Sequence, residues 1–205
     1  MASVSIIGTG KIGSALAGVA QRAGAEVQLI AHSPDRKASA PAGIPVGVVG
    51  DDLTGDIVIL AVPYAGVDNV LTVYSTRLVG KVVVDVTNPV DLSSLDRLVV
   101  PPDSSAAAQI AAKVPDAKVV KAFNTTFAAT LESGRTGDAP TTVLVAGDDP
   151  DAKSAVLELA RGAGLRAVDV GSLKRARELE SLGFLEIALA VTEKTSWAGG
   201  FALTR

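Results

Sequence analysis

The sequence predicts a doubly wound α/β fold, a parallel sheet with helices on both faces and a C-terminal extension that ends in a long helix. Three observations point there. Short β-branched runs alternate with alanine-rich helical patterns along the whole chain. The run Ile57-Val58-Ile59-Leu60-Ala61 is apolar throughout, as a strand covered on both faces requires. A glycine-rich loop joins the first strand to the first helix.

The elements follow in order. Residues 3–7 read as a strand and 11–23 as a helix, with Ile12, Leu16, Val19, Ala20 and Ala23 on one face and Gly24 as its stop. A second strand spans 27–31, and Ser33-Pro34-Asp35 opens a turn or short helix. A short strand at 46–49 follows a Pro/Gly-broken stretch. Residues 56–62 and 81–86 are buried strands, with a helix over 67–78 between them. Asp103 or Ser104 caps a helix to about Lys113. Strands at 118–122 and 141–146 flank a polar, glycine-containing stretch, 132–140, which reads as a solvated connector or a flap. Asp149 caps a helix with Pro150 at its first position, and Asp148 beside it reads as a second capping carboxylate. A last strand covers 165–170, and Ser172 caps a long helix to about Lys194. One domain, 1–205, is expected, with 141–205 as an extension.

Composition narrows the chemistry. The 205 residues are 48% hydrophobic and 20% charged, a globular balance. The net charge of -3 offers no field for nucleic acid or acidic membrane. Without cysteine there is no disulfide, thiolate metal site or thiol catalysis. A single histidine, His32, leaves neither a multi-histidine metal site nor a Ser–His–Asp set, and there is no GxSxG elbow. No stretch reaches the roughly 18 to 20 apolar residues of a membrane span. No stretch reads as a signal peptide, so a cytoplasmic protein is expected.

The loop Gly8-Thr9-Gly10-Lys11-Ile12-Gly13 carries the most specific signal. Gly8 allows a tight turn, Gly10 lets the backbone approach a pyrophosphate, and Gly13 lets the helix pack on the strand. The helix N-terminus then offers free N–H groups and a positive dipole end. This is the Rossmann-type dinucleotide signature in its required context. The second strand chooses between cofactors. NAD-binding chains place a carboxylate at its end to hold the ribose 2′-hydroxyl. Here the end carries His32 and Ser33, then Arg36 and Lys37. Donors and cations suit a 2′-phosphate, so NADP(H) is expected. Asp35 reads as a turn cap.

Ligands of open α/β sheets lie beyond the carboxyl ends of the strands. The segments there are Ala61-Val62-Pro63-Tyr64, Thr87-Asn88-Pro89 and Phe123-Asn124-Thr125-Thr126. Their small apolar groups, amides and hydroxyls suit hydride transfer, which needs orientation and exclusion of water more than a strong acid. Lys174, Arg175, Arg177, Glu178 and Glu180 read as a charged helix face with local pairs, with contact of Arg175 or Arg177 to an anionic substrate as the alternative.

These residues resemble the NADP oxidoreductase, coenzyme F420-dependent family, small proteins typified by NADPH:deazaflavin reductases. They are also similar to the oxidoreductase domain of six-transmembrane metalloreductases. The likeness runs through the glycine loop, residues 61–64, Asp85-Val86-Thr87-Asn88-Pro89, Asp103-Ser104-Ser105-Ala106, Val120-Lys121-Ala122-Phe123-Asn124-Thr125 and 171–180. It implies NADP(H), with a flavin or deazaflavin as second substrate. It also implies cofactor contacts at Thr9, Gly10, Lys11, Ile12, Val62, Pro63 and Asn88, and at Lys37 near the 2′-phosphate. Two positions depart from the family pattern. His32-Ser33 replaces a Ser-Arg pair, so Arg36 or Lys37 must supply the charge. Asn124 stands where many deazaflavin reductases have histidine.

From Leu182 to Val191 the last helix is apolar almost all round, which predicts burial against a second copy and hence a homodimer. Two other functions use the same cofactor. One is reduction of a small carbonyl, imine or quinone, with Tyr64 or a threonine as acid. The other is a non-catalytic NADP(H) sensor.

Overall fold

A computed structural model describes residues 1–39 and 41–204. Its eight-stranded sheet is assembled from β1 (Ser3–Ile7), β2 (Glu26–Ala31), β3 (Val46–Val48), β4 (Ile57–Leu60), β5 (Val82–Asp85), β6 (Lys118–Lys121), β9 (Thr142–Gly147) and β10 (Arg166–Gly171), and a small hairpin, β7 (Arg135–Thr136) with β8 (Ala139–Pro140), stands apart. The strand order is β10-β9-β6-β5-β4-β1-β2-β3. The β3-to-β6 portion is parallel and doubly wound about β1, so the chain switches direction beside the glycine loop.

Among the described residues six α-helices flank the sheet: α1 (Lys11–Arg22), α2 (Val67–Tyr74), α3 (Ala106–Lys113), α4 (Ala128–Ser133), α5 (Pro150–Gly162) and α6 (Ala176–Val191). One core holds Leu16 and Val19 of α1, Leu131 of α4 and Val156 of α5 against Ile6, Ile59 and Val120. The other holds Val70, Leu71 and Tyr74 of α2 and Ile110 of α3 against Ile30, Leu60 and Val83. Strands apolar on both sides are what a sheet covered on both faces needs. Each fully buried leucine or isoleucine contributes roughly 1.5–3 kcal/mol.

The sheet departs from the expectation at its far edge. β9 runs antiparallel to β6, with Val120 opposite Gly147 and Lys121 opposite Ala146, and β10 follows β9 in parallel. The chain leaves β6 at the carboxyl edge, and α4 and the hairpin keep it at that edge. β9 therefore starts there and runs back. The stretch 132–140 is accordingly no unstructured connector. It contains the end of α4, closed by Gly134 at φ +71°, and the β7–β8 hairpin, turned by Gly137 at φ +57°.

Other boundaries shift for local reasons. Ser105, and neither Asp103 nor Ser104, caps α3 by accepting from the Ala108 amide. Asp149 caps α5 at the Ala152 amide, while Asp148 accepts from the amide of Leu173 instead. Ser172 makes no side-chain cap. A 3-10 turn, Leu173–Arg175, comes first, and α6 ends at Val191. Among the described residues no helix is long and apolar enough to cross a membrane.

Candidate functional site

The glycine loop closes the β1–α1 junction as the spacing requires. Gly8 sits at φ +124°, and a Cβ there would lie 2.2 Å from the Ala61 carbonyl oxygen. A Cβ on Gly13 would lie 2.0 Å from the Gly8 carbonyl oxygen. Both glycines are fixed by the protein's own backbone. Gly10 is not: its φ is ordinary, and a Cβ would meet nothing within 4 Å. No side chain caps α1, so its first-turn amides lack a protein acceptor.

The cationic turn lies against this loop. The Gly8 amide donates to the Ile30 carbonyl at the end of β2, and the Thr9 hydroxyl donates to the Arg36 carbonyl at 3.3 Å. His32, Arg36 and Lys37 are exposed, Ser33 half-buried. Arg36 and Lys37 ride on a 3-10 turn, Pro34–Ser39. Ser33, and then its own backbone amide, hold the Asp35 carboxyl below its ordinary range.

At the carboxyl ends of β5 and β6 the structure supplies what the sequence hid. Lys121 is fully buried, and its ammonium donates to Asp85 Oδ2 at 2.8 Å, Glu180 Oε1 at 2.9 Å and the Thr87 carbonyl at 2.6 Å. Three acceptors saturate its three protons. Glu180 Oε2 also accepts from the Ala106 amide and Oε1 from the Ala107 amide, at the N-terminus of α3. Burial pushes the Glu180 carboxyl up, and Lys121 and the Ala106 amide pull it partly back. Glu180 therefore does not belong to a solvated helix face. It anchors α6 to the sheet.

Above this cluster Asn88 and Asn124 bond to each other. Asn88 Nδ2 donates to the Asn124 carbonyl, and Asn124 Nδ2 donates to Asn88 Oδ1 and the Leu179 carbonyl. A Cβ on Gly183 would lie 2.5 Å from Asn88 Oδ1, so α6 crosses the sheet edge directly over the pair. Much of the amide capacity expected to face a ligand thus ties strand ends to helix. Among the described residues, Asn124 Oδ1 and Thr87 Oγ1 are buried without a hydrogen-bond partner. Phe123, also buried, is held at φ +62°, a region costly for a bulky residue.

A cavity of about 570 Å3 opens off the start of α1. Ile12, Val86, Phe123, Phe127, Ile187 and Trp197 form its apolar walls, Asn88, Asn124 and Thr126 its polar ones, and Lys11 and Glu132 its charged ones. Ala61, Val62 and Pro63 follow β4 beside Gly8. Pro89 is buried behind Asn88. Tyr64 is elsewhere: its hydroxyl donates to Gln109 Oε1 at 2.6 Å, and burial pushes its pKa up. Sequence reasoning missed Asp85, Lys121 and Glu180 as a unit, and Phe127 and Trp197 as walls. Asp85 and Lys121, charges at the ends of otherwise apolar strands, were the available signal.

The profile described as "NADP oxidoreductase coenzyme F420-dependent" matches residues 3–89. The chain is 31% identical to an F420-dependent NADP reductase of Methanothermobacter marburgensis, over 94% of this chain and 93% of that protein. It is 34% identical to an F420-dependent NADP reductase of Methanocaldococcus jannaschii, over 71% of this chain and 66% of that one. Metalloreductase STEAP3 of Rattus norvegicus is matched at 32% identity over 87% of this chain but only 36% of its own length. A crystal structure of a candidate F420-dependent NADP reductase from Arthrobacter sp. FB24 superposes over the full length of both chains, with a TM-score of 0.86 at 27% identity. The chain belongs to the coenzyme F420-dependent NADP oxidoreductase family.

Proposed function

We propose that this protein transfers a hydride between NADP(H) and a flavin or deazaflavin-like acceptor. The observation that carries the reading is the cavity at the start of α1. It has the size of a small-molecule site and largely apolar and aromatic walls, and none of its lining residues is a buried acid. Such a space suits a planar ring system that needs stacking and dryness. It suits a carbonyl or imine awaiting a proton less well, because Tyr64 lies outside it with its hydroxyl engaged and the Thr126 hydroxyl in its wall donates to the Phe123 carbonyl.

The residues fit the cofactor. The open space at Gly10 and the uncapped amides of α1 are what a pyrophosphate would use, since the protein itself needs only Gly8 and Gly13. His32, Ser33, Arg36 and Lys37 would hold the 2′-phosphate, with Thr9 fixing their turn to the loop. Ala61, Val62, Pro63, Asn88, Pro89 and Asn124 would border the nicotinamide end, where the unpartnered Asn124 Oδ1 is a ready acceptor. NADPH would supply two electrons as a hydride, and the acceptor would take its proton from solvent. The protein's part is to hold the two rings together and keep water out.

Assembly as a homodimer through residues 141–205 belongs to the same reading. α6 buries Glu180 and Glu186 along with Ala176, Leu179, Gly183 and Ala190, while Leu185 and Val191 are exposed and Leu182, Phe184, Ile187, Ala188 and Leu189 only partly covered. A second copy would cover them. Light scattering should give twice the chain mass at micromolar concentration, and a monomer would refute the dimer. A cytoplasmic location accords with NADPH as reductant.

An acceptor screen tests the activity. NADPH oxidation is followed with FMN, FAD, a deazaflavin, a ferric chelate and a carbonyl and imine panel. Turnover confined to flavins or the deazaflavin supports the proposal. Turnover confined to carbonyls or imines overturns it, and tight NADPH binding with no turnover would make the protein a sensor.

A further inference from the structure

We infer that Glu186 is a positioning residue: it fastens the segment after α6 as a strap that holds Trp197 as a wall of the acceptor cavity. The inference rests on the reading that the acceptor occupies this cavity.

The strap, residues 192–203, leaves α6 and doubles back over it. Glu186 projects from α6 under it and is 2% exposed, and its Oε1 accepts the Phe201 amide at 2.8 Å. Gly200, at φ +138°, lies so close that a Cβ would sit 2.8 Å from the same oxygen. The strap is therefore shaped to that carboxyl. Farther along, Arg166 of β10 donates to the Leu203 carbonyl. At the other end Trp197 meets Phe127 edge-on, ring centroids 4.9 Å apart, and both line the cavity. Trp197 is still 53% exposed. An indole fixed at its edge with much of its surface open is suited to a flat ring beside it.

No other described residue explains a buried carboxyl here. Among the described residues it forms no ion pair. Arg135 of β7 turns to the Asp138 carbonyl, Arg166 to Leu203, and Lys121 to Asp85 and Glu180. Glu132 of α4 lines the cavity, and Glu193 and Lys194 at the start of the strap are exposed. Thr136 of the hairpin presents a methyl to Gly200 beside it. Burial pushes Glu186 up to about 7, against an ordinary 4.5, with only the Phe201 amide opposing. The raised value belongs to the closed strap. Closure is therefore strongest below the ordinary value, weakens by roughly tenfold per pH unit between the two, and levels off above the higher one.

Trp197 is the protein's only tryptophan, so its fluorescence reports the strap directly. Acrylamide quenching of the whole protein should rise from about pH 5 to about pH 8, with a midpoint near Glu186's own titration. Glu186→Gln, neutral and the same shape, should stay at the low-pH level throughout. Exchange of the Phe201 amide in wild type, corrected for its intrinsic pH dependence, should show the same transition and needs no variant. The acceptor KM should rise across this range by roughly tenfold while the NADPH dissociation constant holds. A wild-type signal flat with pH, or an unchanged transition in Glu186→Gln, overturns the strap. A transition that the acceptor KM ignores overturns the positioning role. Absence of any flavin turnover would sink the acceptor reading, while quenching would still decide the strap.

Discussion

The two sides of the cleft are built differently. On the proposed cofactor side, residues 3–63 make the site from a local motif: one loop, one helix start and one turn, held by backbone contacts between Gly8, Gly13 and Ala61. On the proposed acceptor side, the wall combines residues from the loops after β5 and β6, from α4 and α6, and from the segment after α6. Its fixings are side chains far apart in sequence: Lys121 with Asp85 and Glu180, Asn88 with Asn124, Glu186 with Phe201. The first side depends on the absence of side chains, the second on buried charge. Backbone geometry is cheap to specify and hard to vary. A buried ionic clamp costs desolvation, but it fixes a helix across a sheet edge where no strand pairing reaches.

The contrast is broken most severely at Lys121. Lys121→Met leaves two carboxylates buried without their cation and should destabilise the fold by about 3–5 kcal/mol. Urea unfolding measures this, and a loss below about 1 kcal/mol would mean the clamp is not what holds α6. On the cofactor side, Gly13→Val forces a side chain into the Gly8 carbonyl and should cost both stability and NADPH binding. Gly10→Ala sharpens the point: unfolding should be nearly unchanged, yet NADPH affinity should fall roughly tenfold or more as its methyl occupies space meant for the ligand. Equal effects of the two substitutions on stability would contradict the division of labour among the glycines.

Smaller effects lie at the rim. Arg36→Ala with Lys37→Ala should weaken NADPH by roughly tenfold or more and leave NADH binding unchanged, read by titration calorimetry. Parallel losses for both cofactors would mean that the turn does not read the 2′-phosphate. The smallest is a pH effect. The Ala152 amide, and then Lys118, hold the Asp149 carboxyl below its ordinary range. Its stabilisation is present above the unfolded value and lost as pH falls through the folded one. Asp149→Asn should keep the cap and reduce the fall in melting temperature on acidification.

The same contrast explains what could be read from sequence. Strand and helix positions were legible because an apolar alternation with glycine punctuation depends on neighbours in the chain. So were Gly8, Gly10, Gly13 and the missing carboxylate after β2. The reversal of β9 was not, because it depends on where α4 and the hairpin deliver the chain, and α4 is too short to show a period. Glu180 and Glu186 look like solvated helix residues in the sequence, and only the fold turns them inward. Tyr64 stands at the expected strand end, but its hydroxyl is claimed by Gln109, a partner that no spacing reveals.

The proposed reaction is direct hydride transfer between two rings held in one cleft. It is tested by running the enzyme without oxygen on NADPH stereospecifically deuterated at nicotinamide C4, with a deazaflavin as acceptor, and locating the label by mass spectrometry. One of the two C4 diastereomers should deliver its deuterium quantitatively to the reduced deazaflavin and the other should keep it in NADP+. Label lost to water from both, or no reduction of the deazaflavin by tightly bound NADPH, would contradict it.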